Sequence, residues 1–316
     1  MQKDLYLVTG GAGFVGSNLC EALLAAGARV RCLDNLSAGK MENMAGLLQN
    51  LDFEFIKGDI RDFDTCLRAA SGARFVLHQA ALASVPGSLA EPGLYFDVNV
   101  GGTENMLRAT VACGAEKFVY ASSSAVYGDS QELPKREGCE GKPLSPYAEN
   151  KLACESLAKK YTKELGLATV GLRYFNVYGR RQDPNGPYAA VIPKFISSLL
   201  SGKAPTIFGD GEQSRDFTYI EDVVSANLLA CKAGADASGK AYNIACGSKK
   251  TINEIFGILA RALGSELAPI YAPARPGDIL HSFANISLAE QILGYEPAWS
   301  FERGIAECIE WYKQCK

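Results

Sequence analysis

Short apolar runs recur along the first half of the chain: Leu5–Thr9, Arg29–Asp34, Phe53–Lys57, Phe75–Gln79, Lys117–Ser122 and Ala168–Arg173. Each is bounded by turn residues and predicts a strand. The intervals between them repeat apolar residues at helical spacing, as in Ser17–Ala26 and Gly101–Cys113. Strand and helix in alternation predict an α/β fold, a Rossmann-type doubly wound parallel sheet with helices on both faces. Such sheets bind ligands beyond the carboxyl ends of their strands, where strand order reverses. The rhythm changes after Arg173. A stretch rich in Gly, Pro, Asn, Asp and Arg, Gly179–Tyr188, precedes a helical run, Ala189–Ser201, and a loop with Gly209 and Gly211. Arg215–Tyr219 reads as a strand, Glu221–Lys232 as a helix and Ala241–Ile244 as a strand. Thr251–Leu263 reads as a helix with Glu254 completing a capping box, Ala272–Asp278 as a loop and Phe301–Gln314 as a closing helix.

Composition narrows the partners. The 316 residues are 47% hydrophobic and 21% charged with a net charge of −3, so no basic footprint points to nucleic acid or to an anionic membrane. No apolar run approaches the length of about 18 residues that a membrane span needs, and Leu5–Val8 runs straight into a Gly-rich turn, which predicts a strand rather than a signal peptide. Ten cysteines without a C-x-x-C pair predict free thiols in a cytoplasmic protein. With only two histidines, His78 and His281, and no ligand spacing, no metal site is expected, and His78 reads as a core residue.

The candidate chemistry begins at Thr9-Gly10-Gly11-Ala12-Gly13-Phe14-Val15-Gly16, directly after the first strand. Glycines there permit a tight turn and close approach of a pyrophosphate to backbone N–H groups at a helix N-terminus. Asp34 ends the second strand about 20 residues later, placed to accept from both ribose hydroxyls of NAD and to repel the 2′-phosphate of NADP. Asp59 follows the third strand and is a candidate for an adenine amine. Gln79, Ala80 and Ala81 follow the fourth, where small residues admit the cofactor. The domain expectation is a NAD-binding domain over 1–178, with 215–246 returning to it, and a smaller C-terminal α/β lobe over 179–214 and 247–316 that binds substrate.

Three features converge on hydride transfer. Ser122, Ser123 and Ser124 stand at the end of the fifth strand, and Tyr147 and Lys151 lie one helical turn apart in Ser-Pro-Tyr-Ala-Glu-Asn-Lys. The ammonium favours the phenolate and lets the tyrosine act as a base, while a serine hydroxyl orients the substrate oxygen.

With these motifs the chain resembles the extended short-chain dehydrogenase/reductase family, and within it the sugar-nucleotide 4-epimerases. Further segments carry the resemblance: Asp34-Asn-Leu-Ser-Ala-Gly39, Gln79-Ala-Ala-Leu-Ala-Ser-Val-Pro86, Leu172-Arg-Tyr-Phe-Asn-Val-Tyr-Gly179, Ser214-Arg-Asp-Phe217 and Arg275-Pro-Gly-Asp278. It implies a NAD site that also takes in Asn35, Ser37, Gly39, Ile60, Ala83, Asn99, Ser122 and Phe175, with Lys151 and Tyr147 beside the nicotinamide. It implies a substrate site of Ser84, Ser123, Ser124, Tyr147, Asn176, Ala190, Val191, Lys194, Arg215, Arg275 and Ser282, the two arginines gripping a diphosphate. The resemblance further implies a homodimer through a four-helix contact using the Tyr147 helix.

The implied reaction is C4 epimerisation of a UDP-hexose by way of a 4-keto sugar, with NAD retained between turnovers. Ser124-Ala125 stand where 4,6-dehydratases carry an acidic pair, so elimination of water loses its proton donor and base. In the resembling enzymes a bulky residue at the Ser282 position closes the sugar pocket. A serine opens it, which favours UDP-GlcNAc and UDP-GalNAc, with UDP-Glc and UDP-Gal as further candidates, whereas a register shifted by one places His281 at that position instead. A UDP-uronate 4-epimerase or decarboxylase and a non-catalytic NAD-sensing regulator are the alternatives.

Overall fold

The computed structural model describes residues 3–186, 189–274 and 280–315. Its centre is a seven-stranded sheet, β1 Leu5–Thr9, β2 Arg29–Asp34, β3 Phe53–Lys57, β4 Phe75–His78, β5 Lys117–Ser123, β6 Ala168–Tyr174 and a last strand, Lys240–Ile244. All pairings are parallel, and the spatial order from β3 runs β2, β1, β4, β5, β6 and then Lys240–Ile244. Strand order therefore reverses between β1 and β4, and the crevice beyond their carboxyl ends is the place where this architecture holds a ligand. Apolar layers cover both faces. One gathers Val8, Leu19, Leu77 and Val119 with the helix Ile220–Lys232, and the other gathers Leu7, Val76, Met106 and Phe118.

Helix Phe14–Ala25 begins three residues earlier than the periodicity predicts, because Gly13 in extended conformation serves as its N-cap and the Gly-rich turn feeds it directly. Helix Gly102–Ala112 is preceded by a π-helical turn, Asp97–Gly101. The capping box of Thr251 and Glu254 is present, and Phe301–Gln314 has the predicted bounds.

One predicted element is corrected, and a strand appears that was not predicted. Arg215–Tyr219 is two dipeptide strands, Ser214–Arg215 and Thr218–Tyr219, which belong to different small sheets. Asp216 divides them, because its buried carboxylate accepts from the backbone N–H of Cys246 at 2.9 Å and of Ala284 at 3.3 Å. An unpredicted strand, Ile270–Ala272, paired in parallel with Thr206–Phe208, precedes the loop predicted over Ala272–Asp278, of which residues 275–278 lie outside the described residues. Ile270 and Tyr271 carry that strand preference, whereas the prolines that signal the loop come after it.

Candidate active site

The Gly-rich turn forms one wall of a cavity of about 470 Å³ at the strand-order reversal. Gly10 has φ of +67°, and a side chain there would press a Cβ to 2.7 Å from the Ala80 nitrogen. A Cβ on Gly16 would meet the Gly10 oxygen at 2.1 Å. Only glycine fits these two positions. Gly13 caps the helix without a side-chain hydrogen bond, so the first-turn N–H groups are left for an anion. On the opposite rim Asp34 accepts from the Ala12 N–H at 3.0 Å and the Leu36 N–H at 2.7 Å, which holds Leu36 at φ of 63°. Each of its oxygens keeps a further lone pair toward the cavity it lines. Asp59 is gripped by Arg61, with Asn35 donating at 2.9 Å, and these partners hold its carboxyl well below the usual range, chiefly through the Arg61 hydrogen bond. A cradle that excludes side chains, an uncapped helix start and a carboxylate on the rim fit a dinucleotide of the NAD type.

The cavity brings together Gly10, Gly13, Phe14, Val15, Gly16, Asp34, Asn35, Ser37, Gly39, Asp59, Ile60, Gln79, Ala80, Ala81, Ala83, Ser122, Ser123, Tyr147 and Lys151 from five strand ends and the helix Pro146–Leu165. It does not bring in Asn99, Ser124 or Phe175. Asn99 is buried behind the wall, where its side-chain amide clasps both backbone groups of Leu82 at 2.8 and 3.0 Å. Phe175 is fully buried among Val126, Tyr127, Ala245 and Ala284. Ser124 begins the 3-10 turn Ser124–Tyr127 beyond the strand end.

Tyr147 and Lys151 reach the same wall because the helix starts cleanly: Ser145 caps it by accepting from the Ala148 N–H, and Pro146 occupies the first turn. Lys151 Nζ lies 5.8 Å from the centre of the Tyr147 ring and donates to the Ala121 carbonyl on β5 at 2.8 Å. The serines part company here. Ser122 Oγ donates to Glu155 at 2.5 Å, whereas Ser123 Oγ accepts from the Ala125 N–H at 3.1 Å and keeps its own proton to offer. His78 is buried between Thr9 and Thr103, its two ring nitrogens 2.7 and 3.0 Å from their hydroxyls. Burial, with the charge of Lys151, pushes it down to about 3, so it is neutral and structural.

A second cavity of about 550 Å³ adjoins the first, and Val177 lines both. Asn176, Ala190, Val191, Lys194 and Arg215 are all on its wall, among Ile192, Phe195, Ile207, Phe208 and Phe217. Ser84 and Ser282 are not. Ser84 caps the short helix Val85–Ala90, and Ser282 stands beside Arg215 in a parallel pair. His281, the alternative in a shifted register, bonds the Ser214 hydroxyl through Nδ1 at 2.8 Å. Arg275 lies outside the described residues.

Several contacts around the site are not signalled by motif spacing. Gln79, Tyr174 and Asn227 form a closed ring of hydrogen bonds: Gln79 donates to Asn227 at 3.1 Å, Asn227 to Tyr174 at 2.9 Å and Tyr174 to Gln79 at 3.1 Å. Lys40 and Asp183, both on the cavity wall, pair at 2.6 Å across its mouth. Glu155 and Arg173 pair beneath the serine row. Gln79, Arg173 and Tyr174 stand in segments that carry the family resemblance, and Glu155 carries a signal of its own, lying four and eight residues after Lys151 and Tyr147 on one helix face.

The sequence model of the NAD dependent epimerase/dehydratase family matches residues 6–245. The UDP-glucose 4-epimerase of Mycolicibacterium smegmatis is 37% identical over 97% of this chain and 98% of its own. Among solved structures, the UDP-N-acetylglucosamine 4-epimerase from Methanobrevibacter ruminantium, in complex with UDP-N-acetylmuramic acid, has a TM-score of 0.95 at 41% identity and covers 100% of both chains. The Thermus thermophilus UDP-glucose 4-epimerase complex with NAD has a TM-score of 0.88 at 37% identity, covering 99% of this chain and 100% of that one.

Proposed function

Because this chain belongs to the NAD dependent epimerase/dehydratase family, we propose that it interconverts UDP-hexoses epimeric at C4, with UDP-GlcNAc and UDP-GalNAc as its main substrates. The observation that carries the reading is the junction of the two cavities. A glycine-built cleft and an apolar cavity with cationic groups meet at Val177, with Tyr147, Lys151 and Ser123 on the wall of the cleft.

Bound in the cleft, NAD supplies the acceptor that takes hydride from the sugar C4 and returns it. The chain's own residues do the rest. Tyr147 Oη takes the proton of the C4 hydroxyl and later restores it, and Lys151, fixed on the Ala121 carbonyl, favours the phenolate. Ser123 Oγ donates to the same sugar oxygen, because its lone pair already serves the Ala125 N–H. Arg215 and Lys194 on the second cavity wall hold the diphosphate, with Arg275 as a further candidate, and Asn176, Ala190 and Val191 line the nucleotide end. Gripping the diphosphate while leaving the sugar free lets the 4-keto sugar present its other face. Residues 1–178 and 215–246 then form the cofactor half, and 179–214 with 247–316 the substrate half.

Incubation with UDP-GlcNAc, without added cofactor, is expected to yield UDP-GalNAc with no accumulation of free NADH. A stable keto product, or a requirement for stoichiometric reductant, overturns the reading. Relative rates on UDP-Glc and UDP-glucuronate then rank the acetylated substrates against the others.

A further inference from the structure

Beneath the serine row lies a buried set of charges that the proposed chemistry does not use. Arg173 on β6, 5% exposed, donates through Nε at 2.9 Å and Nη2 at 2.7 Å to the two carboxylate oxygens of Glu155. Its Nη1 reaches Tyr127 Oη at 3.0 Å and also pairs with Glu140. Glu155 receives a third donor, Ser122 Oγ, at 2.5 Å. Two consecutive residues of β5 are thereby tied to the helix that carries Tyr147: Ala121 through its carbonyl to Lys151, and Ser122 through its hydroxyl to Glu155. The next residue is Ser123. Tyr127, which closes the turn after the serines, is held at its other side by Asn243 Oδ1 at 2.7 Å.

Stability alone is a poor reason for such a pair, since well-packed apolar residues of similar volume commonly replace a buried ion pair at no loss. What an apolar pair lacks is an acceptor that fixes a neighbouring hydroxyl in direction and depth. We propose that Glu155, held by Arg173, is a positioning residue for the reaction: it accepts a hydrogen bond from the Ser122 hydroxyl, locks the end of β5 against the catalytic helix, and so sets the distance between Ser123 Oγ and Tyr147 Oη. Ser122 belongs to this unit, because its hydroxyl is committed to Glu155. The proposal rests on Ser123 and Tyr147 being the reacting pair.

Ser122→Ala is the clean test, because Glu155 keeps both Arg173 donors and no buried charge is left unpaired. Misplacement of a reacting group by a fraction of an ångström is costly to rate but not to binding, so kcat is expected to fall about tenfold. KM, and the calorimetric dissociation constants for UDP and NAD, stay within about twofold. Ser122→Thr, which keeps a donor, restores kcat to within about twofold. The paired replacement Glu155→Leu with Arg173→Met removes these two charges together and leaves the third, Glu140, to the solvent it partly faces. It is expected to stay folded with the same loss in kcat, and adding Ser122→Ala to it costs nothing more. An unchanged kcat in Ser122→Ala, a loss that adds to that of the paired replacement, or a loss that follows melting temperature and ligand affinity overturns the proposal. Tyr147→Phe separates the two readings: if it keeps its rate, the reacting pair itself is wrong, whereas an inactive Tyr147→Phe beside an unaffected Ser122→Ala sinks only the positioning role.

Discussion

The two cavities that meet at Val177 are built on opposite principles. The cleft of about 470 Å³ is framed by the ends of long parallel strands and presents backbone: glycine turns, first-turn N–H groups and a run of alanines. The cavity of about 550 Å³ is framed by strands of two or three residues, Val177–Tyr178, Thr206–Phe208 and Ser214–Arg215, with the helix Val191–Leu200, and it presents side chains. Backbone recognition fixes one ligand shape, because altering it means altering the turn. Side-chain recognition is free to change with single substitutions. The cleft therefore suits an invariant cofactor and the cavity a substrate that differs between relatives. Variants in the two regions are expected to separate accordingly, with effects on rate on one side and on substrate affinity or local stability on the other.

The largest expected effect falls where the regions meet. Tyr147→Phe keeps the ring and removes the atom proposed to move the proton, so kcat is expected to drop about 1,000-fold, within the range of general acid–base catalysis. Calorimetric affinity for UDP and for NAD stays within about twofold. A matching loss of affinity breaks the separation, since it makes the phenol a binding group rather than a reacting one.

Next comes Asp216, the buried carboxylate that organises the cavity side. Burial raises it from 3.8 to about 6 despite the backbone N–H groups of Cys246 and Ala284. The folded state thus holds this proton more tightly than the unfolded chain. The stability this group contributes is fully present below about pH 4 and is lost as pH rises through about 6. Two pH units of difference correspond to about 3 kcal/mol. Urea unfolding of the wild type and Asp216→Asn from pH 4 to 7.5 is expected to show the stability difference, wild type minus variant, falling by about that amount. A flat difference means that the carboxylate is as comfortable in its loop as in water.

Arg215→Met tests side-chain recognition directly. A guanidinium on a diphosphate makes charge-assisted bonds, and losing them is expected to cost about 2 kcal/mol, or a rise of about 30-fold in KM, with kcat nearly unchanged. Arg215→Lys keeps the charge without the fork and falls between. If KM does not move, the diphosphate is held elsewhere and the cavity's cationic wall serves another purpose.

The same contrast explains what the amino-acid pattern reveals in advance. The sheet was legible because each of its strands is long enough to show an apolar run, and the cleft because backbone recognition writes itself in glycines at forced positions such as Gly10 and Gly16. The small sheets were not. A two-residue strand has no period, and Arg215–Tyr219 reads as one strand although Asp216 splits it. Arg173 and Glu155 escape for another reason. They come together only when β6 packs against the Pro146–Leu165 helix, and a lone Arg inside a strand has no spacing to announce its partner. The three serines look equivalent in the chain, and only Glu155 and the Ala125 N–H tell Ser122 from Ser123.

The smallest expected effect concerns the ion pair of Lys40 and Asp183 on the wall of the cleft. Lys40 follows the second strand and Asp183 lies on the segment leading to the substrate cavity, so the pair couples the two regions, and Lys40 is the chief cause holding the Asp183 carboxyl below its usual range. The side chains are 49% and 40% exposed, which limits the bond to below about 1 kcal/mol. If the pair acts as a latch, Lys40→Met and Asp183→Asn each loosen NAD about two- to threefold by calorimetry, and moderate salt loosens the wild type to the same degree. If Lys40 is instead a ligand for the cofactor's phosphates that Asp183 holds back, the two substitutions diverge: Lys40→Met weakens NAD binding about tenfold while Asp183→Asn tightens it. The sign of the Asp183→Asn effect therefore decides whether the cleft holds the cofactor's phosphates through backbone alone or borrows a side chain from its rim.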